Sequence, residues 1–243
     1  EYTKNTAYVR ELSDVYEKAK EYISEVIFFV EQVTGHLVPD MRPVLKHGVR
    51  FITEELSGKR DGEKDPEKKV NFEAMRIALE AALILAERYA ALAREQACTA
   101  EPARKAQLFL LASTLDRVPA QGASTLYEAI QSFLIMWQLM CIEQAPNPFA
   151  FSIGNADRIF EPYRDAEGLE RKMTAALFCH FLVFFNVGDR SWAISQNIIV
   201  SGKSVSGEDL TNETTYALLD AFYNMNLPQP ILSVKLHKNT PAK

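Results

Sequence analysis

Apolar residues recur at helical spacing through the first three-fifths of the chain. Val15, Ala19, Ile23, Val26, Ile27 and Val30 share one face of a 3.6-residue period and predict a helix that stops before Gly35. A second helix is predicted over 43–56, from Pro43 to a stop at Ser57-Gly58. Residues 58–69 are charged, punctuated by Gly and Pro and almost free of apolar side chains, which predicts a solvated loop. Residues 72–96 read as one long helix, because Ala, Leu, Glu and Arg are strong helix formers. Pro102 suits the first turn of the next helix, expected to run to Arg117 before 118–122 breaks the pattern. Ser124 is the expected N-cap of an apolar helix that carries Glu128 in its first turn and reaches Ile142. Gln131 and Gln138 lie on that mostly apolar cylinder and are expected as buried, partnered amides.

Beyond Pro146 the pattern changes. Residues 149–153 read as a short extended segment, 196–201 as a β-rich run carrying Ile198, Ile199 and Val200, and 231–236 as an alternating third strand. Helical stretches over 169–186 and 212–225 separate these runs. Strands divided by long helices imply parallel pairing, since parallel neighbours need crossover connections. No internal repeat or low-complexity tract is visible. The expectation is a mainly helical layer over 1–145 followed by a strand-and-helix segment over 146–243, without a linker, forming one partial domain.

Composition narrows the function classes. With 243 residues, 47% of them hydrophobic, the chain can bury one sizeable core or two small ones. A net charge of -5 argues against nucleic acid as a partner. The longest apolar stretches, 133–140 and 177–187, are interrupted by Gln138, His180 and Asn186, so no membrane span is expected. The first residues, Glu1-Tyr2-Thr3-Lys4, show no initiator Met and no signal-peptide pattern. Cys98, Cys141 and Cys179 are odd in number, widely spaced and set in apolar helical surroundings, which suits a reducing, cytoplasmic setting and neither a disulfide framework nor a metal site. No nucleotide loop, zinc-protease motif or nucleophile elbow is present. Residues 204–209 are expected to form a turn. His36, between Gly35 and Pro39-Asp40, could contact a ligand, although a lone His more often has a structural role. Asp157 with Arg158, and Asp209 with Asn212, could organise loops by hydrogen bonding, a structural role. Chemistry alone reaches a soluble cytoplasmic α/β domain.

Several segments, in order, carry a sharper signal. They are Gly35-His36-Leu37-Val38-Pro39-Asp40 with Val44-Leu45-Lys46-His47-Gly48; Arg104-Lys105-Ala106, Val118-Pro119-Ala120 and Thr125-Leu126-Tyr127-Glu128-Ala129-Ile130-Gln131-Ser132-Phe133; and Phe151-Ser152-Ile153-Gly154-Asn155-Ala156-Asp157 with Tyr163. Further on come Gln196-Asn197-Ile198-Ile199-Val200-Ser201-Gly202, Gly207-Glu208-Asp209 with Thr211-Asn212-Glu213, and Leu227-Pro228-Gln229-Pro230 through Leu232-Ser233-Val234-Lys235-Leu236-His237 to Thr240-Pro241. Colinear and at matching intervals, they resemble the landmarks of the glycyl radical enzymes, the pyruvate formate-lyase-like family. The resemblance spans from Thr34 to the C-terminus.

The resemblance implies a ten-stranded α/β barrel of two half-barrels wrapped in helices, usually dimeric, of which this chain would supply part of the N-terminal half. It implies a radical lyase acting on a small polar metabolite by C–C, C–O or C–N cleavage. No cofactor would be bound directly. The family's glycyl radical is installed by a partner, an activating enzyme with an iron–sulfur cluster and S-adenosylmethionine, and is passed to a cysteine in a GCxE loop. These 243 residues contain neither that loop nor the RVxGY glycine loop, so no catalytic residue is assigned, the three cysteines included. By itself the chain is not expected to turn over; it would need the remainder of the barrel. The positions that the resemblance places on the substrate pocket are His36, Phe149, Ala150, Ser152 and Leu236. His36 stands where dehydratase-type members have a His and pyruvate formate-lyase an Arg, which tilts the expectation toward an eliminase or dehydratase. Asn155 and Lys235 each stand where the family has Arg, so the fork of donors is lost at both and the local ion-pair scaffold must differ. The alternative is a split or degenerate relative that scaffolds or binds another subunit.

Overall fold

In a computed structural model, which describes residues 17–18, 37–143, 150–186 and 196–241, the helix expected over 43–56 is two helices. α1 spans Arg42–His47 and α2 Val49–Gly62, and Gly48 between them takes φ 82°. That left-handed turn favours glycine. It also lays the chain against the 118–122 turn, where Val49 N donates to Pro119 O at 2.8 Å and Arg50 N to Ala120 O at 3.1 Å. Ala123 N returns a bond to Leu45 O at 2.8 Å. A Cβ on Gly48 would run into the Ala120 carbonyl and the Gln121 backbone, and one on Gly122 into the Lys46 carbonyl.

The charged run is helix and not loop. α2 continues to Gly62, and α3 starts at Pro66 and runs to Ala97, leaving only residues 63–65 between them. Glu, Lys and Arg are good helix formers, and here they also find partners. Arg60 of α2 reaches Glu73 of α3 at 2.5 Å, while Arg76 holds both Glu73 and Glu80. Asp65 caps α3 by accepting from Glu67 N at 2.9 Å, with Pro66 at the first helical position. The expected helix over 72–96 lies within α3. α4, Pro102–Leu115, packs on it through small residues: Ala86, Ala90, Ala93 and Ala97 of α3 meet Leu108, Ala112 and Leu115.

α5 spans Leu126–Glu143, one residue beyond its expected end. Its cap is Thr125 in place of Ser124, since Thr125 Oγ1 accepts from Glu128 N at 3.1 Å. The Glu128 carboxylate reaches back to Ser124 N and Oγ at 2.7 and 2.8 Å, and Arg117 Nε donates to its other oxygen at 2.8 Å. Gln131 is buried with Nε2 3.0 Å from His180 Nε2, as expected of a partnered amide, whereas Gln138 is half-buried.

The strands come next. The extended segment expected over 149–153 lies partly outside the described residues, and the strand itself is β1, Gly154–Asn155. α6, Ala156–Glu167, follows where the sequence predicts no helix. α7 is Arg171–Asn186, β2 Asn197–Ser201, α8 Glu213–Met225 and β3 Ile231–Lys235. The three strands pair parallel in the order β1-β2-β3, Gly154 opposite Ile198 and Ser201 opposite Lys235, as the intervening helices require. Six fully or almost fully buried aromatics tie the helices together: Phe133 and Trp137 of α5, Phe160 of α6, and Phe178, Phe181 and Phe185 of α7. Phe133 meets Phe160, Phe181 and Phe185 edge-on, and Phe181 stacks on Phe185 with ring centroids 5.1 Å apart. Trp137 Nε1 donates to the Phe151 carbonyl at 3.1 Å, anchoring the approach to β1 on the same cluster. The fold class is thus helix-rich α/β with a parallel sheet. The chain divides into two compact units, residues 1–35 and 36–243, and every element named here belongs to the second. Glu17 and Lys18 of the first are helical; the rest of the helix expected there lies outside the described residues.

The two kinds of glycine in this region predict opposite outcomes. Gly48→Ala combines a left-handed φ with a backbone collision and is expected to lower unfolding stability by about 2–4 kcal/mol. Gly58→Ala, inside α2 with open space at its Cβ, is expected to raise it by up to about 1 kcal/mol. Urea midpoints of the two variants check both signs.

Candidate functional site

Parallel strands end on one side of their sheet, and in α/β folds that side carries the chemistry. Here it is formed by Asn155, by Ser201-Gly202 and by Lys235-Leu236. One carboxylate organises it. Asp157, in the first turn of α6, is wholly buried and accepts from Ser201 N at 2.6 Å, Thr215 Oγ1 at 2.7 Å and Arg158 N at 2.8 Å. Burial pushes its carboxyl above the usual aspartate range, against the opposing pull of those donors. Ser201 takes φ 63°, so the bond to Asp157 holds β2 at a bend that few non-glycine residues adopt. One turn along α6, Glu161 accepts from Thr214 N at 3.1 Å and Thr214 Oγ1 at 2.6 Å, and pairs with Arg164 at 2.6 Å. Burial would raise Glu161, but Arg164 and Thr214 hold it below the ordinary glutamate range. The start of α8 is fixed further by Asn212, whose side chain accepts from Thr215 N at 3.0 Å in a capping box.

A second network joins the exits of β2 and β3. Ser201 Oγ lies 2.7 Å from Thr211 Oγ1, which donates to Asp209 Oδ1 at 3.1 Å. His237 Nε2 lies 2.9 Å from the same carboxylate oxygen and 3.1 Å from the Gly202 carbonyl. Burial favours the acid form of Asp209, yet the His237 and Thr211 bonds hold its carboxyl below the usual range. The expected turn over 204–209 is present, with Gly207 N donating to Ser204 O at 3.1 Å. Asp157 and Asp209 are therefore hydrogen-bonding organisers, although Asp157 works from a helix and not a loop, and Asp209 pairs with Thr211 and His237 rather than Asn212. The signal available for this second network was the closeness of the GxDxTNE-like and SVKLH landmarks to two strand ends.

The predicted pocket positions fall as follows. His36 and Phe149 lie outside the described residues. Ala150 is buried with φ 55°. Ser152 is buried, its Oγ accepting from Asn197 N at 2.8 Å and its own N–H donating to Leu37 O at 2.9 Å. Ala150 and Ser152 thus sit near the end where β2 begins. Leu236 follows β3 at the opposite end and is 75% exposed. At the two positions that lack the family's Arg, Asn155 leaves a buried Oδ1 without a partner. Lys235 lies beside Gly202, where Arg158 supplies a guanidinium to the Ser201 carbonyl at 2.8 Å. Burial pushes the Cys141 thiol up to about 12 and raises that of Cys179 as well, so neither is an activated thiolate. Among the described residues no group of three or more His, Cys, Asp or Glu could hold a metal, and no helix is long and apolar enough to cross a membrane.

A strand-and-helix order with these motifs at the strand ends defines a class, and comparison with known proteins assigns it. The family model described as pyruvate formate lyase-like matches residues 1–243, and the chain belongs to that family. Among curated proteins it is 34% identical over 193 residues to trans-4-hydroxy-L-proline dehydratase of Clostridioides difficile, covering 72% of this chain and 24% of the relative. It is 28% identical over 229 residues to isethionate sulfite-lyase of Desulfovibrio desulfuricans, covering 85% of this chain and 27% of the relative. Among solved structures, the glycerol-bound B12-independent glycerol dehydratase of Clostridium butyricum superposes with a TM-score of 0.80 at 26% identity, over 96% of this chain and 34% of that one. The chain therefore spans between a quarter and a third of the length of the proteins it matches. These homologues are glycyl radical enzymes.

Asp157→Asn would turn an NH2 group toward one of the three donors that now bond the carboxylate. It is expected to cost about 2–3 kcal/mol of stability, the penalty of leaving a buried donor unpaired beside a lost charged acceptor. Asp220→Asn, which loosens the solvent-facing pair with Arg171, is expected to cost no more than about 1 kcal/mol. Parallel urea titrations distinguish the two.

Proposed function

We propose that these residues form part of a glycyl radical lyase of the dehydratase or eliminase kind, acting on a small polar, hydroxyl-bearing substrate. The observation that carries this reading is the family match along the whole chain, 1–243, with relatives named as dehydratases and lyases of small hydroxylated compounds. The radical machinery is supplied by the remainder of the protein together with an activating enzyme that uses S-adenosylmethionine. The half-barrel expectation fits β3, whose Ile231 and Val234 are both more than 40% exposed and beyond which no further strand lies among the described residues. A parallel strand is normally covered on both faces, so the rest of the barrel, and a second copy in a homodimer, are the natural partners.

In this reading the chain's residues bind and exclude. His36 donates to a substrate hydroxyl or, when protonated, pairs with a carboxylate. Ala150 and Ser152, near where β2 begins, and Leu236, past the end of β3, form separate stretches of wall, together with Phe149, keeping water and stray hydrogen donors from a radical intermediate. Ser152 is the least free of these, because its hydroxyl is committed to the Asn197 amide. The reading is tested on the complete protein that carries these residues, activated anaerobically and assayed with isethionate, trans-4-hydroxy-L-proline, glycerol and 1,2-propanediol. A glycyl radical signal in electron paramagnetic resonance, with turnover of at least one such substrate, is expected. His36→Ala should then raise KM or lower kcat by about tenfold or more, the loss of one hydrogen bond to a polar substrate; unchanged kinetics removes His36 from the site.

The second reading is a non-catalytic split or degenerate relative. It is favoured by Asn155, whose side-chain oxygen is buried without a partner where the family has Arg. Absence of both radical and turnover in the complete, activated protein would decide for it.

A further inference from the structure

The imidazole of His237 sits between the loop that leaves β2 and the turn that leaves β3, just past the last strand pair, Ser201 opposite Lys235. Its Nδ1 accepts from Asn239 N at 3.3 Å, which leaves the ring proton on Nε2. That single N–H then faces both Gly202 O at 3.1 Å and Asp209 Oδ1 at 2.9 Å. The side chain is only 11% exposed, so water competes poorly for these bonds. The backbone around the ring is equally committed: His237 N donates to Thr240 Oγ1 at 2.9 Å and Thr240 N returns to His237 O at 3.0 Å. On the other side, Asp209 accepts from Thr211 N and Oγ1, and Leu210 N donates to the same Gly202 carbonyl at 2.9 Å. One ring thus fastens the loop that leaves β2 to the turn that leaves β3. Leu236, immediately before it, has no such restraint, being 75% exposed.

We propose that His237 is a positioning residue: it latches the exits of β2 and β3 together and thereby sets the place of Leu236 at the substrate pocket. This rests on the radical-lyase reading for the pocket, but the latch itself is a property of the two loops. Among the described residues the ring's hydrogen-bond partners are Gly202, Asp209 and Asn239. Its effect is transmitted through Leu236 and through Gly202, whose backbone at φ 105° is also approached by Arg158 and Lys235. A misplaced wall weakens substrate binding more than it slows the chemical step, which is the pattern of lost uniform binding.

Two variants and two readouts test this in the complete protein. His237→Gln places an NH2 near the position of Nε2 and keeps a donor for Gly202 and Asp209, whereas His237→Ala removes it. Hydrogen exchange, measured before activation, should show the Leu210 and Thr211 amides exchanging about tenfold faster in the alanine variant, the order expected when a partly buried bond to a carboxylate is lost. The glutamine variant should stay within about threefold of the parent. Asp209→Ala, which leaves the ring intact, should reproduce the faster exchange at the Leu210 amide, whose acceptor is Gly202 O and not Asp209. In the activated enzyme, His237→Ala should raise KM about tenfold with kcat changed less than about threefold, and His237→Gln should restore KM. Leu210 exchange that is unchanged in the His237→Ala variant overturns the latch. Faster exchange with an unaltered KM, or an equal loss in the glutamine variant, overturns the positioning role. A parent protein that forms no radical and turns nothing over sinks the radical-lyase reading instead, and the exchange comparison still decides whether the latch exists.

Discussion

Asp157 brings the start of α6, the end of β2 and the first turn of α8 to one point. Its three donors come from three different elements. The cost of burying a carboxyl is substantial, and its raised pKa records that cost. What offsets it is that a bend at Ser201, a helix N-terminus and the strand register are fixed together. Glu161 repeats the arrangement one helical turn later on the Thr214 amide and hydroxyl, so α6 presents two acidic side chains to the same helix start. The aromatic cluster of α5, α6 and α7 supplies the apolar burial behind this seam. It is non-directional, and would tolerate several relative positions of sheet and helices that the Asp157 bonds exclude.

The strand ends therefore inherit their geometry from side chains that lie outside any pocket. Ser201 is held by Asp157 on its amide and by Thr211 on its hydroxyl; Gly202 is held by His237, Leu210 and the approach of Arg158. Family resemblance alone ranks residues by whether they would touch substrate, and so passes over this layer. The departures at Asn155 and Lys235 fall within it. Arg158 provides the planar donor beside Gly202, on the β2 side of the same corner where Lys235 stands for the family's Arg. At this corner the guanidinium comes from α6, through the bond of Arg158 to the Ser201 carbonyl.

Legibility followed the physics of each segment. Long amphipathic runs with ordinary caps gave α4, α5, α7 and α8 to within a few residues and α3 without its first six, and β-branched runs separated by helices gave the parallel pairing. α6 escaped because Pro162 sits in its interior and removes one backbone donor, a feature that reads as a break when packing is unknown. The split between α1 and α2 escaped because an apolar period cannot register one glycine at positive φ. The charged run looked like loop because composition does not reveal that Arg60, Glu73 and Arg76 answer one another across a three-residue turn. At the site, the sequence placed β2 and β3 to within a residue but set β1 before its actual start, and it could not pair Asp209 with His237, which are 28 residues apart.

Gly48 and Gly122 lie far apart in sequence, yet a Cβ on either would run into the backbone of the segment that carries the other. The two glycines are in effect one structural character written at two places. With both small, the α1–α2 corner and the turn before α5 close on each other backbone to backbone, and enlarging either would part the same seam.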